Sequence, residues 1–404
     1  MGAPDRLSDA LTACQTLLGR APSPPLEDLY LERSVEASWR VAGGRVTHRG
    51  LARRDGVAVR RPDRLDSSDA TDRVSLARLM GVSPQWVPIF PLPDPPPPPD
   101  PQEWLSRLGS GEWTLRWRWR WAAVVRRHSA AVVTRPALLE IEATDGQRAL
   151  AVLPLATPWH PPRPAEQIRG APPRGRPLVL LAPPAAAALV HEVIGHSLEG
   201  DLVLAGLSPL AGTGRRFRFT LPLDVTDDPT RFDLPGGFTI DDEGSAARPR
   251  PLLRGGEPVG VLADRATAAR LNVPAGSARR GSVHAPPRPR ISNLITRGRG
   301  SPLPDLRRQA RLEVSSVRSA SFDLATATVR LEVRSASTLH RGEPARPLPS
   351  FTLHAPLETL RVGLLACSTQ TQTSAEPGWC RKDGEAVPVG SDTPWLLVDA
   401  LEVA

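Results

Sequence analysis

The chain has 404 residues, 40% of them hydrophobic, which is enough for a substantial core in one large domain or in two domains of ordinary size. The net charge is +8, and Lys382 is the one lysine among 51 lysine and arginine residues. The positive charge is spread along the chain, which favours a compositional bias toward arginine over a nucleic-acid-binding surface. Three cysteines do not make a disulfide framework. The first 20 residues lack the apolar core of a signal peptide, and no run reaches the roughly 18 apolar residues of a membrane span, so the sequence predicts a soluble cytoplasmic protein.

The N-terminal part of the chain is predicted to begin with a helix and to continue as strands. Apolar residues recur at helical spacing over residues 6–19, with Cys14 on the apolar face as a small core residue. A turn is expected at Gly43-Gly44, and the strand-like segments around it are residues 28–33, 35–41 and 56–61.

Two unusual segments follow these strands. Residues 91–102 contain five consecutive prolines and predict a stiff polyproline connector, after which Asp100 and Pro101 fit the start of a short helix over residues 102–108. Tryptophan and arginine then alternate over residues 113–121, which places the tryptophans on one face of a strand and the arginines on the other. This pattern favours a half-buried strand over a surface that stacks on nucleic-acid bases.

Residues 160–176 are rich in proline, arginine and glycine and are predicted to be a domain junction. The chain is therefore divided into an N-terminal α/β domain, residues 1–168, and a C-terminal domain, residues 169–404. A short apolar strand at residues 177–182 is expected to precede one long helix over residues 185–200. The sequence predicts an α+β protein in which a mixed N-terminal domain precedes a strand-rich C-terminal catalytic domain with one active-site helix.

The most specific motif lies on this helix, where residues 191–201 read HEVIGHSLEGD. His191 and His196 offer two neutral nitrogen ligands for a metal ion. Glu192, beside the first histidine, can accept a proton from water on that ion. These residue types together indicate a hydrolytic zinc site.

The spacing of the two histidines requires a deformed helix. His191 and His196 are five residues apart instead of the more familiar four, which separates them by about 140° on a regular α-helix. A π-type turn with five-residue closure returns both rings to one face, and Gly195 lowers the strain of such a turn. Zinc also needs a third protein ligand, for which the spacing leaves two candidates, Glu199 and Cys380.

Several ordered motifs resemble the TldD/PmbA family, specifically its TldD-type catalytic subunit. The family's helix reads HExxGHxLEGD, and residues 191–201 match it. Further blocks resemble the family across residues 170–404, namely 224–228 (DVTDD), 237–244 (GFTIDDEG), 252–257 (LLRGGE), 279–282 (RRGS), 289–293 (PRISN) and 378–390 (GWCRKDGEAVPVG). Ser197 stands where the family often has glycine, and residues 202–207 differ from the family's usual polar, basic stretch.

The resemblance implies a zinc-dependent metalloprotease that hydrolyses peptide bonds in unfolded or extended polypeptides. It implies that His191, His196 and Cys380 hold Zn²⁺, that Glu192 is the general base, and that Glu199 supports the ligands. It also implies a PmbA/TldE-like partner subunit or a homodimer. A substrate peptide is expected to pair with an exposed strand edge.

Other functions and further site residues stay open at the level of sequence. Candidates for supporting the ligands or lining the substrate path are Glu199, Asp201, Asp242, Arg290 and Asn293. The acidic cluster at residues 241–243 is more readily a hydrogen-bonded corner than a second metal site.

One rival function is a non-catalytic interaction or scaffold subunit of a TldD/PmbA-type complex, which predicts no bound metal. Another is a nucleic-acid binder, which predicts salt-sensitive affinity for DNA or RNA.

Overall fold

The computed structural model describes residues 3–20, 26–108, 111–144, 148–153, 171–211 and 217–404. Helices pack on two large sheets, which confirms the predicted α+β class. Residues 160–170 of the predicted junction lie outside the described residues, as does the boundary between residues 168 and 169, so the division into two domains stays a prediction. No helix in the described part of the chain combines the length and apolar composition that crossing a membrane requires.

The N-terminal sheet is antiparallel throughout its described strands. These are β1 (Asp28–Ala42), β2 (Arg45–Arg60), β3 (Leu65–Ser68), β4 (Trp113–Arg126), β5 (Ser129–Val133), β6 (Ala137–Ala143) and β7 (Arg148–Leu153). Their order is β3-β2-β1-β4-β6-β7, with β5 also paired to β4. The helices of this part are α1 (Ala3–Arg20), α2 (Arg73–Met80) and α3 (Gln102–Leu108). The apolar residues of α1 and α2 are buried in a cluster with those of β1, β2 and β4.

The predicted N-terminal elements are largely confirmed. Helix α1 covers residues 6–19, and Cys14 is buried on its apolar face. The strands predicted at residues 28–33 and 35–41 are one continuous strand, because Ser34 stays paired with both Arg54 and Arg120. The third predicted strand is the end of the longer β2. The turn at Gly43-Gly44 is confirmed by left-handed φ angles of 57° and 70°, which a tight hairpin turn requires.

The polyproline connector has no regular secondary structure over residues 91–100. Arg33 of β1 donates hydrogen bonds to the carbonyls of Leu92 and Pro93 at 2.8 and 3.0 Å, which fixes the connector against the sheet. The carboxylate of Asp100 accepts a hydrogen bond from the backbone N–H of Gln102 at 3.0 Å, as expected at a helix start.

Strand β4 confirms the alternation of tryptophan and arginine. Trp113, Trp117 and Trp121 are buried in the N-terminal cores. The arginines on the opposite face form ion pairs of 2.6–2.7 Å within the sheet, between Arg116 and Glu142, Arg118 and Glu36, Arg118 and Glu140, and Arg120 and Glu32. These arginines therefore serve as partners for carboxylates of neighbouring strands, which argues against the nucleic-acid reading of this strand.

The C-terminal part is dominated by a mixed sheet. Its strands are β8 (Val179–Leu181), β9 (Leu223–Asp227), β10 (Arg250–Arg254), β11 (Glu257–Pro258), β12 (Ala278–Arg279), β13 (Arg288–Pro289), β14 (Asn293–Gly298), β15 (Leu312–Asp323), β16 (Thr328–His340), β17 (Glu343–Leu348), β18 (Phe351–Pro356), β19 (Leu364–Lys382), β20 (Glu385–Val398) and β21 (Glu402–Val403). Among the described residues the sheet order is β11-β10-β9-β14-β20-β8-β15-β16-β18-β21, with β17 on β16 and β19 on β20, while β12 and β13 pair separately. Strands β8 and β15 are parallel, as are β14 and β20.

The helices of the C-terminal part are α4 (Pro183–Val190), α5 (Gly200–Leu204), α6 (Arg265–Leu271), α7 (Leu303–Gln309) and α8 (Leu357–Gly363). Helix α4 reads PPAAAALV, which leaves it without a polar face, and it packs against β15, β19 and β20. Ala185, Ala186, Leu189 and Val190 of this helix belong to the main C-terminal core. This burial fixes the position of the histidine motif that follows α4 directly.

Candidate metal centre

The histidine motif lies on a deformed helical segment. After α4, residues His191–Gly195 form a π-helical turn, in which the backbone N–H of His196 bonds the carbonyl of His191. A short 3₁₀ turn over His196–Leu198 follows. The π turn predicted from the five-residue spacing is therefore confirmed.

The prediction of one uninterrupted helix over residues 185–200 is wrong at its end. The backbone of Glu199 is extended, with φ −75° and ψ 130°, and the chain starts a new helix, α5, at Gly200. Leu262 causes the interruption, because its N–H bonds the carbonyl of Leu198 and its carbonyl accepts the N–H of Gly200. These bonds replace the helical hydrogen bonds of the segment with bonds to a distant part of the chain.

The π turn brings the two imidazole rings together. The ring centroids of His191 and His196 are 4.7 Å apart, and the ring planes are nearly perpendicular at 87°. His191 is buried and His196 is partly exposed. Two nitrogen donors on one side of the segment can thus face a common point.

Cys380 supplies a third donor to the same point. It lies near the end of β19, in the hairpin that β19 and β20 form through the Asp383-Gly384 turn. Its Sγ is 3.8 Å from Nε2 of His196, and the donor atoms of His191, His196 and Cys380 all lie within 4.8 Å of one another. Two imidazoles and a thiol are donor types that suit a divalent transition-metal ion such as zinc, so the residues present fit the ion that the sequence motif implies.

The arrangement distinguishes between the two candidates for the third ligand. Glu199 is outside the group of converging donors, because its Oε2 contacts the opposite ring nitrogen of His196, Nδ1, at 3.2 Å. A carboxylate in this position favours a proton on Nδ1 and leaves Nε2 free to bind a metal. The geometry therefore favours Cys380 as the third donor and gives Glu199 contact with a donor ring.

The surroundings of the site shift the protonation of its groups. Burial lowers the pKa of His191 well below its ordinary value, and the neighbouring His196 and Arg290 add to the effect. Burial also raises the pKa of Glu192 to about 7. For His196, burial opposes the charge, but Glu199 and Cys380 outweigh it and raise the pKa of the ring well above its ordinary value.

Glu192 lies close to strand β15. It follows His191 directly, its side chain is partly buried, and the backbone of Phe322 lies near enough to its carboxylate to lower the pKa against the larger effect of burial. The pKa of about 7 places Glu192 in the range of a group that can accept and return a proton at neutral pH.

The remaining predicted site residues lie in four different places. Arg290 is buried beside the thiol, with Nε 3.4 Å from Cys380 Sγ and with Nη2 donating to the Cys380 carbonyl. Asp201 bonds Lys382 at 2.7 Å, close to Glu199. Asn293 accepts a hydrogen bond from the N–H of Gly236 and donates to two carbonyls, so it organises a loop.

Asp242 has a separate set of partners. It accepts hydrogen bonds from Tyr30 and Arg135 of the N-terminal part and from the N–H of Arg280. Within the same acidic cluster, Asp241 accepts the backbone N–H groups of Glu243, Ser245 and Ala278. The cluster is thus a hydrogen-bonded corner, as the sequence favoured.

A cavity of about 690 Å³ lies on the other face of the thiol-bearing strand. The arginine face of β4 lines it, and so do Trp379 and Arg381, whereas Cys380 between them points into the core. Arg118 lies over the ring of Trp379 at 4.9 Å. The cavity therefore borders the candidate centre without containing any of its three donors.

One residue of the site was not predicted as functional. Lys382 contacts Glu199 and Asp201 with its ammonium group, which links the cysteine hairpin to the residues after His196. It is the one lysine in the sequence, and this was the feature that could have marked it as functional. Local sequence does not identify its partners, because they are more than 180 residues away along the chain.

Comparison with known proteins agrees with this arrangement of fold and donors. Residues 174–404 match the family model described as the PmbA/TldA metallopeptidase C-terminal domain, which is more than half of the chain. The chain belongs to the PmbA/TldD metallopeptidase family.

Individual relatives extend over part or all of the chain. A metalloprotease of Archaeoglobus fulgidus is 30% identical over 232 residues, covering 57% of this chain and 53% of the relative. A metalloprotease TldD homologue of Haemophilus influenzae is 27% identical over 219 residues, covering 53% and 45%. The chain spans about half the length of these curated relatives. The crystal structure of TldE from Thermococcus kodakarensis superposes with a TM-score of 0.70 at 14% identity, covering 98% of this chain and 100% of that one, which concerns the fold alone.

Proposed function

We propose that this protein is a zinc-dependent metalloprotease that hydrolyses peptide bonds in unfolded or extended polypeptides. The observation that carries the proposal is the convergence of donor atoms from His191, His196 and Cys380 within 4.8 Å, with Glu192 next in the chain to the first of them. Membership of a metallopeptidase family and relatives named metalloproteases support it.

Three side chains hold the ion in this proposal. His191 and His196 would donate imidazole nitrogens and Cys380 would donate its sulfur, a set of donors that suits Zn²⁺. A zinc ion supplies Lewis-acid chemistry, which polarises a carbonyl group and lowers the pKa of water. Arg290 lies beside the cysteine ligand, with Nε 3.4 Å from the sulfur and Nη2 donating a hydrogen bond to the Cys380 carbonyl.

Glu192 moves the proton in the proposed reaction. With a pKa raised by burial to about 7, it accepts a proton from the attacking water and can return it to the leaving amine. The nearby backbone of Phe322 lowers the pKa of this carboxyl group, but the effect of burial is larger.

The edge of β15 supports a substrate in extended conformation. Strand β8 pairs with β15 over Leu312–Val314 alone, so the side of β15 that faces away from β16 has no strand partner over residues 315–323 in the described structure. Phe322, whose backbone is near enough to Glu192 to lower its pKa, lies on this stretch. An extended peptide paired with this edge would be recognised through its backbone, in agreement with broad specificity.

The proposed assembly is a complex with a PmbA/TldE-like subunit or with a second copy of this chain. The protein alone, measured by light scattering, is expected to show twice the 43.5 kDa chain mass if it forms a homodimer. A monomer that dimerises only with a TldE-like subunit would indicate the heterodimer.

Metal analysis of purified variants tests the proposed site. We expect about one zinc per chain in the wild type, loss of zinc in Cys380→Ser, and retention at saturating zinc in Glu199→Gln, because only the cysteine donates to the ion. Wild-type protein that binds no zinc would contradict the proposal and would favour the scaffold function. Loss of zinc in Glu199→Gln with retention in Cys380→Ser would reverse the assignment of the third ligand.

A further inference from the structure

Lys382 is exceptional in this chain by its residue type. It is the one lysine among 51 lysine and arginine residues, so the composition disfavours lysine at every other cationic position. It is also two residues after Cys380, and alternation along β19 puts both side chains on the same face of the strand. A position that keeps lysine against this bias indicates a requirement that arginine does not meet.

The contacts of Lys382 identify this requirement. Its Nζ is 2.8 Å from Oε2 of Glu199 and lies 2.8 and 2.7 Å from Oδ1 and Oδ2 of Asp201. The Glu199 side chain is fully buried and that of Lys382 is 13% exposed. The same Oε2 of Glu199 is 3.2 Å from Nδ1 of His196. An unbroken chain of contacts thus runs from the ammonium group to a proposed metal ligand.

An ammonium group suits this position for a physical reason. It is a compact charge with three tetrahedrally arranged donors, and it can approach two carboxylates that converge from one side. A guanidinium group is larger and planar, and it needs more room than an ammonium group beside a carboxylate that is fully buried, as that of Glu199 is. Glu199 must also keep its contact with His196, which leaves room beside Oε2 for a small donor.

Resting on the proposed function, we propose that Lys382 is a positioning residue of the metal centre. Its ammonium group holds Glu199, which orients the His196 ring with Nε2 toward the ion. Its place on β19 holds the strand of Cys380 against the segment of His196, although the two ligands are 184 residues apart in sequence. One side chain therefore positions both an imidazole and the distant thiol.

Zinc affinity measured by competition with a chromophoric chelator tests this proposal. Lys382→Met is expected to bind zinc about 10- to 100-fold more weakly than the wild type, which is the usual loss when a group that orients a ligand is removed. Lys382→Arg keeps the charge and is expected to bind at least several-fold more weakly. Arg381→Met is the matched control, since Arg381 is exposed on the opposite face of the strand, and its affinity is expected to equal that of the wild type.

A double-mutant cycle separates positioning from a general structural effect. Because Lys382 acts through Glu199, the combined Lys382→Met and Glu199→Gln variant is expected to lose no more affinity than the weaker-binding single variant. Losses that add in full would contradict the proposal. The absorption spectrum of Co²⁺-loaded Lys382→Met is expected to differ from that of the wild type, because the orientation of the ligands changes.

Two outcomes distinguish this inference from the proposed function. Wild-type protein that binds no zinc overturns both, whereas wild-type protein that binds zinc while Lys382→Met binds it equally well overturns the role of Lys382 alone. If Lys382→Met does not fold, Lys382→Arg decides, and wild-type affinity in that variant overturns the requirement for an ammonium group.

Discussion

Burial has opposite consequences for two adjacent side chains of the candidate centre. It lowers the pKa of His191, which keeps the ring neutral and its nitrogen lone pair free to bind a metal. It raises the pKa of Glu192 to about 7, so this carboxyl group exchanges protons near neutral pH. One environment therefore favours a metal ligand at one position and a proton carrier at the next.

Replacing Glu192 separates these two roles. Glu192→Gln is expected to retain one zinc per chain and to lose at least about 10²-fold in kcat, because an amide cannot accept the proton. Zinc content and the rate of hydrolysis of a fluorogenic extended peptide measure the two effects. Glu257→Gln, at an exposed surface pair with Arg218, is the control and is expected to change neither. Full activity in Glu192→Gln would remove Glu192 from the mechanism.

At the scale of elements, the π turn depends on the absence of a side chain at residue 195. A Cβ added to Gly195 would lie 2.5 Å from Cδ1 and 3.0 Å from Cγ1 of Ile291, which precedes β14. These short distances predict that Gly195→Ala destabilises the protein. Helix propensity alone predicts that it stabilises the protein, since alanine is favoured over glycine by about 1 kcal/mol in a helix interior. Whether Gly195→Ala lowers or raises the free energy of unfolding therefore tests the packing of this turn.

We expect Gly195→Ala to lower the free energy of unfolding by about 1–3 kcal/mol, as overpacking of a buried site does. The same substitution is expected to weaken zinc binding, since the turn that aligns His191 and His196 must shift. Chemical denaturation measures the first effect and chelator competition the second. Adding Ile291→Val, which removes the closest methyl group, is expected to recover part of the stability; an increase in stability from Gly195→Ala alone would contradict the packing.

Strand β4 offers a test of the N-terminal sheet. Trp117→Ala is expected to lower the free energy of unfolding by about 3–5 kcal/mol, because the side chain is 1% exposed in the core. Trp86→Ala is the control, since Trp86 is 59% exposed, and its effect is expected to stay within about 0.5 kcal/mol. Equal effects of the two substitutions, measured by chemical denaturation, would contradict the assignment of the buried face.

Local sequence predicted the elements whose cause is local. The spacing of His191 and His196 implied the π turn, and the alternation over residues 113–121 implied the two faces of β4. The break at Glu199 was not predicted, because it depends on hydrogen bonds to Leu262, more than 60 residues away. The contacts of Lys382 were missed for the same reason, since no local periodicity reports that two distant segments share a charge network. Cys380 was identified through the family resemblance, and spacing alone left Glu199 as an alternative.

At the scale of the whole molecule, Asp242 connects the N-terminal sheet to the part that carries the candidate metal centre. Burial opposes its charge, but Arg135, Arg120 and Arg280 outweigh it and lower the pKa of Asp242 to about 2 from the ordinary 3.8. Because the folded-state pKa lies below the unfolded one, Asp242 contributes stability above pH 4 or so, and the contribution is lost as the pH falls toward 2. The shift corresponds to about 2 kcal/mol.

Asp242→Asn is expected to lower the free energy of unfolding at pH 7 by about 2–4 kcal/mol, because the charge is lost and the arginines lose their partner. The variant is also expected to lack part of the stability loss that the wild type shows between pH 4 and 2. Asp305→Asn, at an exposed pair with Arg308, is expected to cost less than about 1 kcal/mol. Identical acid denaturation of wild type and Asp242→Asn would contradict the role of this residue.

Zinc K-edge X-ray absorption of the purified protein tests the central claim most directly, since it counts sulfur and nitrogen neighbours of the ion. We predict one sulfur at about 2.3 Å and two imidazole nitrogens at about 2.0–2.1 Å in the wild type, with the sulfur absent in any zinc that Cys380→Ser retains. A first shell without sulfur in the zinc-loaded wild type would contradict the centre of His191, His196 and Cys380.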